Sequence, residues 1–249
     1  MSMQNTYVPK FTYIIPFRFS PDRIISLRRV IDWLSGFQGI DVLIVEQDTH
    51  SKISHLNMRA RHLFIESSLP FNKSWAFNVA LKRCTSPIVV CADADFIMDP
   101  NDLIQSLNAI DNCDCVIPTN NIVGLSPQES SIDTIRIINT KRPGFKANMT
   151  DGVVIFKRDA LFRIGGWNED IIGLGYENQF QDIKIMKLLN YKQLEFNGQH
   201  LYHEKLKSNE GLDNRNKQIV DFYKDVDVNK LQQNINTTGP KIGSLNKYQ

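Results

Sequence analysis

No apolar run in this sequence approaches the ~18 residues of a membrane span. The first ten residues, Met1 to Lys10, are polar and lack the apolar core of a secretion signal. A cytoplasmic protein is therefore expected, with no transmembrane segment and with peripheral membrane association left open. Cysteine is scarce. Cys84, Cys91, Cys113 and Cys115 form no C-x-x-C pair and no zinc spacing, so reduced and mostly buried thiols are expected. There is no basic tail or block, and the net charge is only +2, which argues against a nucleic-acid partner. No internal repeat is present. What remains is an ordinary globular composition, 42% apolar and 22% charged over 249 residues. One α/β domain over residues 1–230 is expected, followed by a polar Asn- and Gln-rich tail, 231–249, with freedom to move.

One acidic triplet stands out, Asp93-Ala94-Asp95. It follows the apolar run Ile88-Val89-Val90-Cys91-Ala92, which reads as a buried parallel strand. Ligands of open α/β sheets bind outside the carboxyl ends of the strands. Two carboxylates one residue apart at such a point are costly unless a cation neutralises them. Hard oxygen ligands suit Mg²⁺ or Mn²⁺, and these ions bridge carboxylate and phosphate. The triplet points to an enzyme using a nucleotide-activated donor. Alone the triplet is common, and reads more readily as a solvated acidic turn after a strand.

The surrounding order of elements is βαβ-like. Strands are expected at Phe11 to Pro16, Asp41 to Glu46, His62 to Glu66, Pro87 to Ala92, Cys115 to Pro118 and Gly152 to Phe156. Ser20-Pro21 reads as a helix start running to about Leu34. Further helices are expected over Lys73 to Arg83, from Pro100, from Lys157, and over Glu177 to Asn190. Gly124 to Asn148 reads as a long loop. The alternation implies a mostly parallel central sheet flanked by helices.

Further segments fall in a telling order. Ile14-Ile15-Pro16-Phe17-Arg18 ends the first strand. Phe71-Asn72-Lys73 precedes Asn78-Val79. Gly165-Gly166-Trp167-Asn168 and Gly173-Leu174-Gly175-Tyr176-Glu177-Asn178 follow, then His200-Leu201-Tyr202-His203 and Arg215. With the acidic triplet, this set resembles the metal-dependent glycosyltransferases of the GT-A fold, a Rossmann-like nucleotide-diphospho-sugar transferase fold. The nearest likeness is to the β-1,4-galactosyltransferase family, with a looser likeness to the polypeptide N-acetylgalactosaminyltransferases. The resemblance implies a UDP-sugar donor, a glycan acceptor and Mn²⁺ (or Mg²⁺). It implies donor-binding roles for Pro16, Phe17, Arg18, Glu46, Phe71, Lys73, Asn78, Asp93, Ala94, Asp95, Gly152 and Arg215. It implies acceptor-binding roles for Trp167, Gly175, Tyr176 and Glu177, and metal ligation by Asp95, His203, His200 and Asp93.

The chemistry of these residues can be stated on its own terms. Cleaving a sugar–nucleotide bond leaves a diphosphate, whose growing charge a divalent cation stabilises. Asp95 is the best carboxylate ligand and His203 the best second ligand, with His200 three residues earlier placed to share its face on a helical turn. The family carries a methionine where His200 stands. An inverting transferase needs a general base for the acceptor hydroxyl. In the galactosyltransferases this is the aspartate whose place Asn178 takes here, so Glu177 becomes the candidate base or acceptor ligand. Asp182 is five residues on, about 140° around an ideal helix, and does not share that face. An inverting glycosyltransferase is the expectation. A retaining one, or a non-catalytic sugar-nucleotide or glycan-binding protein, are the alternatives.

Overall fold

The computed structural model describes residues 10–131, 143–145, 148–173, 175–204 and 209–247. In chain order these form β1 (Phe11–Phe17), α1 (Arg23–Leu34), β2 (Asp41–Asp48), β3 (Arg61–Glu66), α2 (Lys73–Leu81) and β4 (Ile88–Ala92). Next come β5 (Phe96–Met98), α3 (Pro100–Asn108), β6 (Cys115–Gly124), α4 (Pro127–Ser130), β7 (Val153–Lys157) and α5 (Arg158–Arg163). The chain finishes with α6 (Glu177–Leu188), β8 (Tyr191–His200), α7 (Glu210–Asp225) and α8 (Val228–Thr238).

One eight-stranded sheet runs in the order β3-β2-β1-β4-β7-β6-β8-β5. It is mixed. β1 pairs parallel with β2 and β4, β2 with β3, and β6 with β8, whereas β7 runs against β4 and β6, and β5 against β8. Side chains alternate across the strands and build a core on each face. Tyr13, Ile15, Ile44, Val90 and Ile155 join α1 and α3 on one side. Ile14, Leu43, Val89, Cys91 and Phe156 join α2, α5 and Ile185 of α6 on the other. The four cysteines are free and buried.

Ser20-Pro21 leads into α1 as expected: the Ser20 hydroxyl accepts from the Arg23 N–H at 3.3 Å and its carbonyl accepts from the Ile24 N–H at 3.1 Å, the pattern of an N-cap, while the hydroxyl donates to the Asp22 carboxylate at 2.9 Å. Two expectations need correction. The stretch after Gly124 is not all loop. Ser126 and Glu129 form a capping box at the start of α4, while residues 132–142 and 146–147 of that stretch lie outside the described residues. The polar tail is largely helix. Asp227 caps α8 through the Lys230 N–H, Leu231 and Ile235 are buried, and Ile242 enters the core beside α2. Three buried apolar side chains dock a segment that is otherwise largely polar.

Lys184 of α6 is a buried cation and explains how α5 ends. Its ammonium donates to the Ile164 carbonyl at 3.0 Å and to the Gly166 carbonyl, satisfying acceptors beyond the helix end. Burial pulls its pKa down to about 7. At about pH 6 and below, both folded and unfolded chains hold this proton. Above that the folded protein releases it first, so stability rises with pH. Urea titrations at about pH 6 and 8 should show a gain on the order of 1 kcal/mol in the parent over Lys184→Met. Equal pH slopes in both proteins would contradict the assignment.

Candidate active site

The acidic triplet leaves the carboxyl end of β4, and the short strand β5 carries the chain onward. β5 pairs antiparallel with β8, so that Phe96 lies opposite His200. This pairing needs two glycines. A Cβ on Gly152 or Gly198 would sit 2.4 or 2.3 Å from the Phe96 ring. Gly152, expected among the donor-binding residues, also accepts the Asp93 N–H at 2.9 Å and fixes the triplet's backbone. The Leu201 N–H bonds the Asp95 carbonyl at 2.7 Å, which carries the histidine segment onto the triplet. His200 ends a strand and His203 lies beyond it, so they converge by strand pairing and not on a helical turn.

Asp95 is buried, with His203 Nε2 at 3.1 Å and His200 Nε2 at 3.5 Å. The candidate ligand atoms of the three residues all lie within 4.8 Å of one another. Burial works against the Asp95 charge. The hydrogen bond from His203 and the charges of His200, Arg23 and His203 outweigh it, and the carboxyl is held below the usual range. His203 in turn is raised, chiefly by its bond to Asp95. Its segment is braced from behind, where Tyr202 N–H meets Ser130 Oγ and Glu204 N–H meets Asp22.

Beside this cluster lies a second, built around Lys73 at the first turn of α2. Asn72 caps that helix through the Trp75 N–H at 2.8 Å. Lys73 Nζ reaches Asp93 at 2.6 Å, Glu177 at 3.6 Å and the Asn178 side-chain oxygen at 3.4 Å. Burial would lower the lysine pKa, but the Asp93 and Glu177 charges outweigh it and raise it. Glu177 is raised by burial, with Lys73 opposing. Its Oε2 is buried and has no hydrogen-bond partner among the described residues. Tyr176, just before it, has φ +72°, a left-handed conformation uncommon outside glycine and frequent at functional sites. Gly173 and Gly175 share that region, at φ +89° and +84°, and the Gly173 N–H is tied to the Phe71 carbonyl.

Asn178 has a structural reason to be neutral. Its amide nitrogen donates to Asp151 at 2.7 Å. Asn178→Asp would set two carboxylates at that spacing. It should therefore destabilise the fold by about 2 kcal/mol in urea unfolding, and not restore a base. Undiminished stability with raised turnover would contradict this. Asp182 points elsewhere, accepting from Met149 N, Thr150 N and Thr150 Oγ1.

Several expected residues fall outside the two clusters. Asn78 is a latch. Its side chain donates to the Trp167 carbonyl and Glu169, and accepts from the Trp167 N–H, all at 2.8 Å. Both ends of its amide are engaged, so it has nothing to offer a donor. Trp167 is no sugar platform, being 2% exposed and stacked on Phe77 at 4.7 Å. Arg215 is exposed and donates to the Asp170 carbonyl, on a cavity whose lining includes neither cluster. Glu46 is fully buried and engages Ser51, the Lys52 N–H and His62, holding the loop after β2. Phe17 is core, Pro16 lies buried in β1, Ala94 is buried within the triplet, and Arg18 donates to the Leu69 carbonyl. Two residues escaped the sequence reading. Arg23 acts on both Asp95 and His203, and its Nε is buried without a hydrogen bond among the described residues. Asp151 joins the Lys73 cluster through Asn178; its position before Gly152 and a buried strand was the available signal.

The residues present fit a divalent cation. Asp95 Oδ1 is buried with no hydrogen-bond partner among the described residues, and two imidazoles face the same carboxylate. One oxygen and two nitrogen donors suit a divalent first-row transition ion better than Mg²⁺, because imidazole is a poor ligand for the hardest ions. Asp93, expected as a further ligand, is engaged by Lys73 and stands outside the three-residue group.

Residues 47–163 match the family model described as glycosyl transferase family 2. No curated protein matches the sequence. Among solved structures the chain is similar to the catalytic domain of Drosophila β1,4-galactosyltransferase 7 with xylobiose, at 14% identity and TM-score 0.56, covering 84% of this chain and 80% of that one. It is also similar to the mannosyltransferase PcManGT of Pyrobaculum calidifontis with GDP-Man and Mn²⁺, at 19% identity and TM-score 0.53, covering 80% and 59%. GalNAc-T7 with UDP, GalNAc and Mn²⁺ matches at 15% identity and TM-score 0.57, covering 96% of this chain and 56% of that one. Among the described residues no helix is long and apolar enough to cross a membrane. The chain has the GT-A glycosyltransferase fold, and the family match over residues 47–163 supports a nucleotide-sugar glycosyltransferase.

Proposed function

We propose that this enzyme transfers a hexose or N-acetylhexosamine from a UDP-sugar to a glycan hydroxyl with inversion, using a divalent cation at Asp95, His200 and His203. One observation carries the reading. Asp93, Asp151 and Glu177 gather around the single ammonium of Lys73, next to the buried carboxylate of Asp95. A diphosphate cannot enter so acidic a place unaided, and Asp95 with its two imidazoles is built to hold the missing charge. When bound, the cation stabilises the negative charge of the leaving diphosphate as a Lewis acid. The similar structures with Mn²⁺, and with UDP-Gal or UDP and GalNAc, support that donor and metal class.

The chain's own groups account for the rest. Glu177 takes the acceptor hydroxyl proton, because its buried, unpartnered oxygen has a raised proton affinity. Lys73 orients Glu177 and Asp93 and moderates their mutual repulsion. Tyr176 and the flanking glycines form the acceptor side, where left-handed backbone permits a tight turn. Hydrogen exchange at Gly173, Gly175 and Tyr176 should slow when UDP and Mn²⁺ are added, and unchanged exchange would argue against closure there.

The test is a panel of UDP-Glc, UDP-Gal, UDP-GlcNAc, UDP-GalNAc and GDP-Man, with Mn²⁺ and with a chelator. Metal-dependent release of UDP from at least one UDP-sugar is expected. Turnover of GDP-Man alone would overturn the uridine assignment, and chelator-resistant turnover would overturn the metal.

A further inference from the structure

A second cavity, of about 750 Å³, opens among α6, α7, α8 and the segment 165–170. Its lining includes none of Lys73, Asp93, Asp95, Glu177, His200 or His203. Its volume falls in the range of small-molecule pockets. Part of the lining is apolar, formed by Phe180, Tyr223, Leu231 and Ile235, with the two rings meeting edge to face at 4.9 Å. The lining also carries Lys184, whose ammonium lies 5.9 Å from the Phe180 ring centroid, and Arg215, Lys241 and Lys247, with the acidic Glu169 and Asp170.

The cations differ in what they already hold. Lys247 pairs with Glu169 at 2.8 Å, and Arg215 is turned onto the Asp170 carbonyl. Lys241 forms no ion pair among the described residues. Lys184 is the informative one. It is 2% exposed, it donates to two carbonyls, and no carboxylate pairs with it among the described residues. An ammonium carries three donors, so one hydrogen is left for the cavity. While it is protonated, this is a buried charge with an unused donor, which an anion in the cavity would compensate.

We infer that this cavity binds a small amphipathic anion, an apolar body bearing one carboxylate or phosphate, with the head group at Lys184 and the body along Phe180, Tyr223, Leu231 and Ile235. A free inorganic anion would leave the apolar wall unused. A neutral apolar molecule would leave Lys184 uncompensated. The inference is independent of the donor chemistry above, since the two sites share no residue.

Calorimetry on the full chain, below micelle concentrations, decides it. The probes are decanoate, decyl phosphate, decanol and inorganic phosphate. Both decyl anions should bind at least about tenfold more tightly than decanol or inorganic phosphate, and the tighter of the two names the head group. Lys184→Met should remove the preference for anion over decanol. Lys241→Glu, an exposed change with no fold to disturb, should weaken both anions several-fold while leaving turnover of UDP-sugar unchanged. Equal binding of decanol and decanoate, equal binding of inorganic phosphate, or an unaltered Lys241→Glu protein would each overturn the proposal.

Discussion

Asp95→Ala is expected to abolish metal-dependent UDP binding. Asp95 provides the only carboxylate in the three-residue group, and its backbone carbonyl also anchors the histidine segment through Leu201. The backbone bond survives the substitution, so the histidines stay in place and only the charged ligand is lost. Partners that merely orient a metal ligand are worth 10- to 100-fold in affinity, so losing the ligand itself should cost more than about 100-fold. Calorimetry with UDP and Mn²⁺ reads the effect. Within a factor of about three of the parent affinity, the assignment of Asp95 would fail. The variant loses the buried Asp95–His203 pair, so some stability should be lost with it, although His203 retains the Glu204 carbonyl; urea unfolding alongside the calorimetry shows that the variant is folded.

The second large effect is expected at Glu177. Glu177→Gln keeps shape and hydrogen-bonding capacity but cannot take a proton. Turnover should fall by about 10²- to 10⁴-fold, the usual range for general acid–base catalysis, while UDP binding with Mn²⁺ is retained. The pH profile is the discriminating readout. Burial raises the Glu177 pKa with Lys73 opposing, so the acidic limb of kcat/KM should lie above that of an ordinary carboxylate and vanish in the variant. If Glu177 only positions the acceptor, its loss should raise acceptor KM more than it lowers kcat. NMR of the first-formed anomer completes the case. Retention of configuration would reject Glu177 as the base of an inverting displacement.

The parts of the fold legible in the sequence were those whose burial leaves a mark. β1, β2, β4 and β7 are buried over most or all of their length, and read as apolar runs. β8 left no such mark. It is largely exposed, with Leu194 and Phe196 its only large apolar side chains after Tyr191, and it is specified by pairing with β6 and β5. α7 and α8 were hidden by polar composition, since few buried side chains hold each in place. At the site, Asp95, His200 and His203 were legible as spaced motifs of residue types able to ligate a metal, and the structure brings the three together. Asn78 and Trp167 misled for a related reason. The same Asn and Gly-Gly-Trp segments form a buried latch, where a Cβ on Gly166 would lie 2.2 Å from the Asn78 oxygen. Arg23 and Asp151 become visible only once α1 and the segment before β7 are brought to the triplet in three dimensions.

The central claim is that Asp95, His200 and His203 hold the cation that receives the donor diphosphate. Electron paramagnetic resonance of Mn²⁺ tests it directly, since the sharp signal of the free ion is lost on binding. With UDP present, the parent chain should deplete that signal to a one-to-one end point, and His203→Ala should leave it largely intact at the same concentrations. Equal depletion by the parent and by His203→Ala would contradict the account.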